Sequence, residues 1–455
     1  MYDYTEMRRR SAQAIWHPYT EITSFEHSDF PIVERAEGCF LFELDGKPLL
    51  DGISSWWCVN LGHSHPRLVR AIQGQAERLQ HTLLGGMSHP PAIELAERLA
   101  RLAPGGLGHA MFAGDGSVAV EAALKIALQY WVSRGEAGRT RFISLEEGYH
   151  GDTLGAMSVG YVETFHRPFR GVVQSALRAM SPYCNRCPFG LRSESCGVKC
   201  FDSMASLIRE HHAECAGVIV EPLCQGAAGM RIYPEEYLRR LRELCDRYGL
   251  LLIADEIAVG FGRTGAMFAC ERAGIAPDIL TLGKGLTGGM LPMSATLVTD
   301  EIYDAFRARD GRTNTFYHGT TFCGNPITSA VALAALDVYE EERIVERLPR
   351  SVEILEDGFE TLSGYLDDSP WRVLGMIAAI EVADSAGGAV RARSIGKRAY
   401  ERGLFTRPLG ATIYLWPPLN TPRMDLQCMV NMLIESTVET GEENLNSNED
   451  VPVTF

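Results

Sequence analysis

Two residues with complementary chemistry lie at the ends of two apolar segments of the chain. Asp255 closes the segment LLIAD, and Lys284 follows the segment DILTLG. Both segments are typical of buried strands, and ligands bind where the carboxyl ends of neighbouring strands meet in an open α/β sheet. A lysine flanked by glycine at such an edge is open to a ligand but held in a desolvated crevice. That environment lowers the pKa of a lysine and makes its amine nucleophilic toward carbonyl groups.

A reactive lysine paired with a carboxylate is what pyridoxal phosphate requires. The carboxylate keeps the pyridine nitrogen protonated, so that the ring acts as an electron sink, and the lysine forms a Schiff base with the aldehyde. The types and positions of Lys284 and Asp255 therefore predict a pyridoxal phosphate site in which both residues are catalytic.

The phosphate of this cofactor needs an anion site, and the segment AGDGSVAVEAALKIA supplies one candidate. Gly116 and Ser117 open a strong helix-forming run, so backbone N–H groups and the helix dipole converge there on an anion. An ordinary helix N-cap is the alternative, because Gly-Asp-Gly-Ser is a common helix start. A second candidate is Gly319-Thr320-Thr321, where two adjacent hydroxyls follow a glycine. The alternative for that segment is a simple turn.

The hydrophobic pattern predicts the elements that position these residues. From about residue 65, near-continuous apolar strands alternate with amphipathic helices, which favours a parallel sheet covered on both faces. Residues 30–60 and 371–384 have the pattern of short strands. The predicted fold class is therefore α/β, with a mostly parallel central sheet in a large domain and a small α+β domain from both chain ends. The predicted boundaries are 1–75 and 326–438 for the small domain, 76–325 for the large domain with a Cys-rich insertion at 181–202, and 439–455 for a disordered acidic tail.

Charge and composition exclude several classes of partner. Acidic residues outnumber basic ones 58 to 43, and the two basic runs, at 7–10 and 239–242, are typical of solvated helix faces rather than of a nucleic-acid site. The longest uncharged stretches are too short and too rich in glycine to span a bilayer. The N-terminus has no apolar region after its arginines, so we expect no signal peptide and a cytoplasmic protein.

The order of the motifs resembles that of the class III, pyridoxal phosphate-dependent aminotransferases of fold type I. The matching features are Gly-Ser before a helix, Tyr149-His150-Gly151, Glu-Pro at 221–222, the run DEIAVGFGRTG, Gly-Lys at 283–284 and Gly-Thr-Thr-Phe at 319–322. The resemblance extends over the chain to about residue 436.

The resemblance implies a role for each matching position. Lys284 is implied to be the Schiff-base lysine and the acid/base of the 1,3-proton shift, and Asp255 to pair with the pyridinium nitrogen. Tyr149 is implied to stack on the pyridine face, where an aromatic ring offers offset stacking. The implied phosphate ligands are Gly116, Ser117, Thr320 and Thr321. The two threonines reach the phosphate from the other subunit in this family, which implies a homodimer with shared active sites.

Four further motifs are similar to those of the members that act in biotin synthesis: WHPYT at 16–20, DGISSWW at 51–57, GYHGDT at 148–153 and TRPLG at 406–410. They imply transfer of the α-amino group of S-adenosylmethionine to 8-amino-7-oxononanoate. The implied substrate-binding residues are Tyr19, Trp56, Tyr149, Asp152, Gly319 and Arg407. Trp56 and Trp57 offer apolar walls, Arg407 offers a bidentate clamp for a carboxylate, and Asp152 offers a partner for a cationic donor.

Three alternatives stay open at this point. The donor could be lysine, or the chain could be another ω-amino acid transaminase, because the motifs specify the acceptor better than the donor. A metal-binding or sensor protein on an inactive transaminase scaffold is the third alternative. The intact Lys284 and Asp255 argue against that one.

Four of the twelve cysteines form a cluster of two pairs, Cys184 with Cys187 and Cys196 with Cys200. The surrounding segment is loop-like, and the spacing is that of metal ligands, which predicts zinc or an iron–sulfur cluster. A disulfide or free thiols are the alternative. Because transamination needs no redox centre, the expected role is a structural staple on a long loop. The other cysteines are typical of small buried apolar residues in a reducing compartment.

Overall fold

The chain folds into two compact units, one of which is built from both chain ends. The computed structural model describes residues 3–173, 175–308, 313–383 and 387–442. Unit 1 comprises the chain up to His65 and from Glu346 onward, and unit 2 comprises Pro66–Val345.

The first part of unit 1 contains three helical segments and three strands. They are α1 (Tyr4–Ala14), α2 (Ile22–Glu26), β1 (Val33–Glu37), β2 (Phe40–Glu43), β3 (Pro48–Asp51) and the single turn α3 (Ser54–Trp57). The strands β1, β2 and β3 pair antiparallel in that order. Asp45-Gly46 lies in the connection between β2 and β3, and Gly46 has the positive φ of 87° that favours glycine in such turns.

Unit 2 alternates strands and helices along most of its length. Its elements are α4 (Pro66–Ala76), α5 (Pro90–Leu102), β4 (His109–Ala113), α6 (Gly116–Ser133), β5 (Arg141–Leu145), α7 (Leu154–Val159), α8 (Glu163–His166), β6 (Leu177–Ala179), α9 (Phe201–His211), β7 (Cys215–Val220), β8 (Cys224–Gln225), β9 (Arg231–Ile232), α10 (Glu235–Tyr248), β10 (Leu251–Asp255), α11 (Ala269–Ala273), β11 (Ile279–Leu282), β12 (Ser294–Val298), α12 (Asp300–Asp304) and α13 (Pro326–Glu341). The short helix α14 (Ile344–Arg347) spans the boundary to unit 1.

A seven-stranded sheet forms the centre of unit 2, in the order β4-β12-β11-β10-β7-β5-β6. Only β12 runs against its neighbours, and every residue of β7, β10 and β11 is buried. Near-continuous apolar strands are what a parallel sheet covered on both faces requires. The predicted mostly parallel sheet is therefore confirmed, with a single antiparallel strand near one edge.

The second part of unit 1 completes it from the other chain end. Its elements are α15 (Pro349–Gly364), β13 (Trp371–Leu374), β14 (Ile377–Glu381), α16 (Gly388–Arg402), β15 (Leu404–Phe405), β16 (Thr412–Leu415) and α17 (Arg423–Glu442). Strand β15 joins the N-terminal sheet parallel to β3, with Leu404 opposite Leu50. The strands β13, β14 and β16 form a separate antiparallel sheet. A small α+β unit from both chain ends is thus confirmed.

The unit boundaries differ from the predicted ones because α4 and α13 pack together inside unit 2. Arg67 of α4 bonds to Asp337 and to Glu341 of α13, at 2.9 Å in each case. The predicted boundaries after residues 75 and 325 therefore differ from the observed division after residues 65 and 345. The predicted tail from residue 439 overlaps the end of α17, and residues 443–455 lie outside the described residues.

The two basic runs lie on helices, where acidic side chains neutralise them. Arg9 of α1 bonds to Glu6 at 2.7 Å, and Arg239 and Arg240 of α10 bond to Glu236 at 3.1 and 2.8 Å. These arginines therefore do not form a free basic stripe. Across the described residues, none of the helices is both long enough and apolar enough for a membrane span.

Helix α15 approaches α17 so closely that one position needs glycine. A Cβ atom at Gly358 would lie 2.3 Å from Cγ1 of Val430, whereas one at Gly364 on the same helix would meet nothing within 4 Å. We predict that Gly358→Ala lowers the free energy of unfolding of unit 1 by about 1–3 kcal/mol through overpacking. Thermal unfolding should show the loss in Gly358→Ala and not in the control Gly364→Ala. Equal melting temperatures for the two variants would contradict this packing.

Candidate active site

The strands β10 and β11 bring Asp255 and Lys284 to one edge of the sheet of unit 2. The two strands are parallel neighbours, and Asp255, the last residue of β10, lies opposite Thr281 of β11. Lys284 follows β11 after one glycine and begins a 3₁₀ turn. Its φ of 39° is in the left-handed region, a strained conformation for a lysine and one that occurs at functional sites. Ligands bind at this edge in open α/β sheets.

The Asp255 carboxylate is buried and surrounded by hydrogen-bond donors. Only 5% of the residue is exposed. One oxygen, Oδ2, lies 2.7 Å from Nδ1 of His150, and the other accepts from the Thr281 hydroxyl at 3.1 Å and from the Ile257 N–H at 3.2 Å. A buried carboxylate needs such partners because desolvation disfavours its charge. The arrangement holds the carboxylate at a fixed position.

A second buried carboxylate fixes the segment that carries His150. Glu221 directly follows β7 and accepts the N–H groups of Tyr149 and Gly226, each at 3.0 Å. Burial raises the pKa of Glu221 to about 7, although the nearby His150 and these N–H groups lower it. Glu221 thus ties the Tyr149-His150 backbone to the end of the neighbouring strand.

The side chain of Tyr149 belongs to a small aromatic cluster beside a carboxylate. Its hydroxyl donates to Oδ2 of Asp152 at 3.0 Å. The ring stacks on His166 with centroids 6.0 Å apart and lies edge-on to Phe165 at 6.5 Å. Nε2 of His166 lies 3.5 Å from the second oxygen of Asp152. An anionic group flanked by aromatic faces suits a cationic ligand.

The start of α6 lies next to this cluster and offers N–H groups that could bind an anion. Asp115 caps the helix and accepts the N–H of Val118 at 3.1 Å. Gly116 and Ser117 open the helix, where N–H groups have no partner within the helix itself. The Ser117 hydroxyl accepts the N–H of Asp152 at 3.3 Å, and a Cβ atom at Gly151 would lie 2.2 Å from that hydroxyl oxygen. Glycine at 151 therefore lets this segment approach the start of α6 closely.

These features together fit pyridoxal phosphate. The ring nitrogen of this cofactor needs a fixed carboxylate, its face accepts an aromatic ring, its phosphate needs N–H donors, and its aldehyde needs an amine. Asp255, Tyr149, the start of α6 and Lys284 offer these four groups in unit 2.

The structure places Gly319, Thr320 and Thr321 in a different part of unit 2. They line an open groove of about 1090 Å³ together with Leu83 and Ile93, and within the described residues this lining includes neither Asp255 nor Lys284. The Thr320 hydroxyl oxygen is enclosed and makes no hydrogen bond within the described part of the chain. The groove is therefore a surface with an unused hydrogen-bonding group.

Three of the predicted substrate-binding residues lie together in unit 1. Tyr19, Trp56 and Arg407 line a pocket of about 330 Å³. Cζ of Arg407 lies 4.8 Å from the centre of the Trp56 ring, and its Nη2 donates to the Tyr19 carbonyl at 3.1 Å. The Tyr19 and Trp56 rings meet edge to face at 5.6 Å. Burial lowers the pKa of Arg407, but an arginine keeps its charge, so the pocket offers a cation between aromatic walls.

The expectation that Trp57 forms a second apolar wall is wrong. Trp57 is buried and stacks on Trp416 with centroids 4.9 Å apart, and its Nε1 donates to the Tyr414 hydroxyl at 3.3 Å. Trp56 alone points into the pocket, because the turn α3 sends the two neighbouring indoles in different directions.

The clustered cysteines line one small cavity of unit 2, as free thiols. Burial raises the pKa of the Cys184 thiol, and that of the Cys200 thiol to about 11. In the ranges that the structure describes, no group of three or more His, Cys, Asp or Glu residues is arranged to hold a metal ion. The predicted zinc ion or iron–sulfur cluster therefore has no support. The loop makes hydrogen bonds with its surroundings, including one from Arg240 to the Gly197 carbonyl at 2.8 Å.

The sequence alone indicates no function for His150, Glu221 and His166, which the structure places in this site. His150 and Glu221 were present only as letters of the Tyr-His-Gly and Glu-Pro motifs, and His166 carried no signal. A glutamate at the end of a fully apolar strand is the signal that could have revealed Glu221, whereas the contact of His150 with Asp255 depends on the topology. His166 becomes visible only through its stacking on Tyr149.

The chain matches the model of the family "Aminotransferase class-III" over residues 24–436. A curated relative from Geobacter sulfurreducens is 41% identical over 96% of this chain and 98% of its own length, and one from Nitratidesulfovibrio vulgaris is 43% identical over 96% and 82%. Both are named adenosylmethionine-8-amino-7-oxononanoate aminotransferase.

Solved structures give the same result. The crystal structure of the enzyme of that name from Methanocaldococcus jannaschii superposes with a TM-score of 0.90 at 37% identity, covering 96% of this chain and 99% of that one. The ω-transaminase of Pseudomonas jessenii in complex with PMP also has a TM-score of 0.90, at 29% identity over 95% and 98% of the two chains. This chain belongs to the class III aminotransferase family.

Proposed function

We propose that this chain transfers the α-amino group of S-adenosylmethionine to 8-amino-7-oxononanoate and so forms 7,8-diaminononanoate, with pyridoxal phosphate as cofactor. The observation that carries the proposal is the buried Asp255–His150 pair at the sheet edge from which Lys284 also extends. The choice of substrates is supported by the names of relatives that are 41% and 43% identical over nearly the whole chain.

The residues of unit 2 would divide the work of the cofactor site. Pyridoxal phosphate, when bound, supplies a conjugated ring that takes up the electron pair left on the substrate carbon. Asp255 would keep the ring nitrogen protonated, and Tyr149 would stack on the ring. Nζ of Lys284 accepts the proton that leaves the α-carbon of the donor, which is general acid–base catalysis. Gly116 and Ser117 bind the phosphate with N–H groups.

The pocket of unit 1 suits the acceptor. 8-Amino-7-oxononanoate is an apolar chain that ends in a carboxylate. Arg407 can pair with that carboxylate, and the rings of Tyr19 and Trp56 can flank the methylene chain. A half-buried guanidinium over an indole is already partly desolvated, which strengthens its attraction to an anion.

Asp152 suits a cationic donor. Its carboxylate is anchored by Tyr149 and remains about half exposed, with 52% of its side chain accessible. S-adenosylmethionine carries a sulfonium charge and lysine carries an ammonium charge, so either donor would profit from this carboxylate. Lysine as donor is therefore one alternative. A different ω-amino acid transaminase reaction is the other.

The proposal includes a homodimer in which the groove of unit 2 faces a second copy of this chain. Apolar side chains stand exposed at the groove, where Leu83 is 51% and Ile93 is 48% accessible. Phe322, between the lining residues Thr321 and Cys323, is 65% accessible. Exposed apolar groups in one patch are typical of an interface. The exposed Thr321 would then be available to the partner's phosphate, whereas the enclosed Thr320 hydroxyl would first have to turn toward it.

The donor is tested by half-reactions on the purified holoenzyme. We expect S-adenosylmethionine, added alone, to bleach the yellow absorbance band of the bound cofactor, because its amino group passes to the cofactor without an acceptor. Lysine added to a fresh sample serves as the comparison. If lysine bleaches the band and S-adenosylmethionine does not, the donor is lysine. If S-adenosylmethionine bleaches the band but 8-amino-7-oxononanoate does not restore it, and another acceptor does, the proposed acceptor is wrong.

Removing the amine of Lys284 should abolish turnover. We predict that Lys284→Ala lowers kcat by about 10⁴-fold or more, because the proton transfer loses its acid/base. The variant should still bind pyridoxal phosphate, but without a covalent bond. Dialysis or denaturation should therefore release the cofactor. Lys199→Ala, a change elsewhere in unit 2, is the control and should keep normal turnover. A Lys284→Ala variant with near-normal kcat would refute the assignment.

Charge placed on the groove should break the dimer. We predict that Phe322→Asp shifts the protein toward monomer in light scattering and weakens retention of pyridoxal phosphate. Met424→Asp is the control, because Met424 of α17 in unit 1 is 82% exposed. A wild-type protein that is monomeric and fully active would contradict the dimer.

A further inference from the structure

Four consecutive residues of unit 1 have left-handed backbone conformation, and none of them is glycine. The φ angles of Ser54, Ser55, Trp56 and Trp57 are 50°, 44°, 72° and 69°. Residues with a Cβ atom rarely adopt this region, and a run of four is retained only where the surroundings hold it. Reversal of the chain direction alone therefore does not explain four consecutive residues in this conformation.

The turn orients two neighbouring indoles for different tasks. Trp57 points into the core of unit 1 and stacks on Trp416. Trp56 is 43% exposed and points into the pocket, where Cζ of Arg407 lies 4.8 Å from its ring centre. In a right-handed turn or a strand, adjacent side chains would diverge by other angles. The position of Trp56 against Arg407 thus depends on the left-handed backbone.

One fully buried carboxylate holds the turn. Asp51, the last residue of β3, is 0% exposed. Its Oδ1 accepts the N–H groups of Ile53 at 3.3 Å and Ser55 at 3.0 Å, and its Oδ2 accepts the Ser55 hydroxyl at 2.7 Å. The fourth partner is Nε2 of His63, which lies 2.8 Å from Oδ2. These four partners offset the cost of burying the carboxylate.

We propose that Asp51 and His63 are positioning residues for the acceptor carboxylate: they hold the left-handed turn that sets Trp56 against Arg407. This inference rests on the proposed function, because it takes Arg407 as the group that binds that carboxylate. Neither Asp51 nor His63 lines the pocket within the described residues, so both act through the turn.

The arrangement favours positioning over simple structural support. Burial of Trp57 and the bond from the Ser54 hydroxyl to the Trp416 carbonyl at 2.6 Å already fix the core side of the turn. Asp51 and His63 fix the other side, where Ser55 and Trp56 lead into the pocket. Loss of the carboxylate should therefore misplace Trp56 and Arg407 before it unfolds the unit.

A double-mutant cycle tests this coupling. We expect Asp51→Asn to raise the KM for 8-amino-7-oxononanoate about tenfold, because small misplacements of a binding group are costly, and to change kcat less than about twofold. In the Arg407→Ala background the same change should have almost no effect, since the group that it positions is absent. Equal losses in both backgrounds, or a loss in kcat alone, would show a merely structural role and overturn the inference.

Substitutions of His63 provide the second arm, in case Asp51→Asn fails to fold. His63→Gln keeps an N–H donor and should retain most of the wild-type KM, whereas His63→Leu should raise it. The matched control is His109→Leu, because His109 of unit 2 makes the same kind of pair with Asp300 at 3.2 Å. A His63→Leu variant with the KM of the wild type would contradict the role of His63.

Binding of nonanoate separates this inference from the proposed function. Nonanoate has the chain length and carboxylate of the acceptor but cannot react, and calorimetry on the holoenzyme measures its Kd. If the wild type fails to turn over 8-amino-7-oxononanoate, the proposed substrate falls. The positioning role then stands if Asp51→Asn weakens nonanoate binding only when Arg407 is present, and falls if it does not.

Discussion

The burial of one carboxylate at the end of a central strand constrains the rest of unit 2. The burial of Asp255 is compensated by hydrogen-bond partners from three other segments: Thr281 of β11, Ile257 just beyond β10, and His150 from the loop after β5. These contacts require β5, β7, β10 and β11 to end at one edge, which the parallel pairing of these strands provides. Glu221, at the end of β7, fills the gap between the strands that carry His150 and Asp255.

Unit 1 repeats the same local solution with different residues. Asp51 is also the last residue of a strand, and it also accepts the N–H of the residue two positions ahead, a hydroxyl and a histidine nitrogen. We propose that the carboxylate faces a cofactor site in unit 2 and holds a backbone turn in unit 1. In both places a buried carboxylate has several fixed hydrogen-bond partners, and the surrounding segments are thereby held in one arrangement.

Much of this architecture could be predicted because it follows from periodicity and from strand ends. The fully apolar strands that precede Asp255 and Lys284 indicate a parallel sheet, and a sheet of that kind places both residues at one edge. The different fates of Trp56 and Trp57 could not be predicted, because they depend on a backbone conformation that no residue type in the turn requires. The cysteine spacing predicted a metal site, and the four cysteines do line one cavity, but in the described residues no group of three or more is arranged to hold a metal ion. Cys184 and Cys196 instead make hydrogen bonds with Ser193.

The same limit applies to histidines. His150 and His63 differ little in sequence context from other histidines of the chain, and their importance comes from contacts with aspartates 105 and 12 residues away. Such long-range pairs are a property of topology rather than of local pattern. The motifs therefore indicate the segment that carries His150 but not the contact of its imidazole with Asp255.

The pairing of β3 with β15 has a consequence for how the protein is made. Leu50 lies opposite Leu404, so the sheet of unit 1 joins segments that leave the ribosome at very different times. Unit 2 is continuous in sequence and can fold while synthesis continues, whereas the N-terminal strands must wait for the last part of the chain. Closing such a long loop is entropically costly and slow. The edge of β3 stays unpaired during that interval, which makes the N-terminal segment the part of the nascent chain most exposed to misassociation.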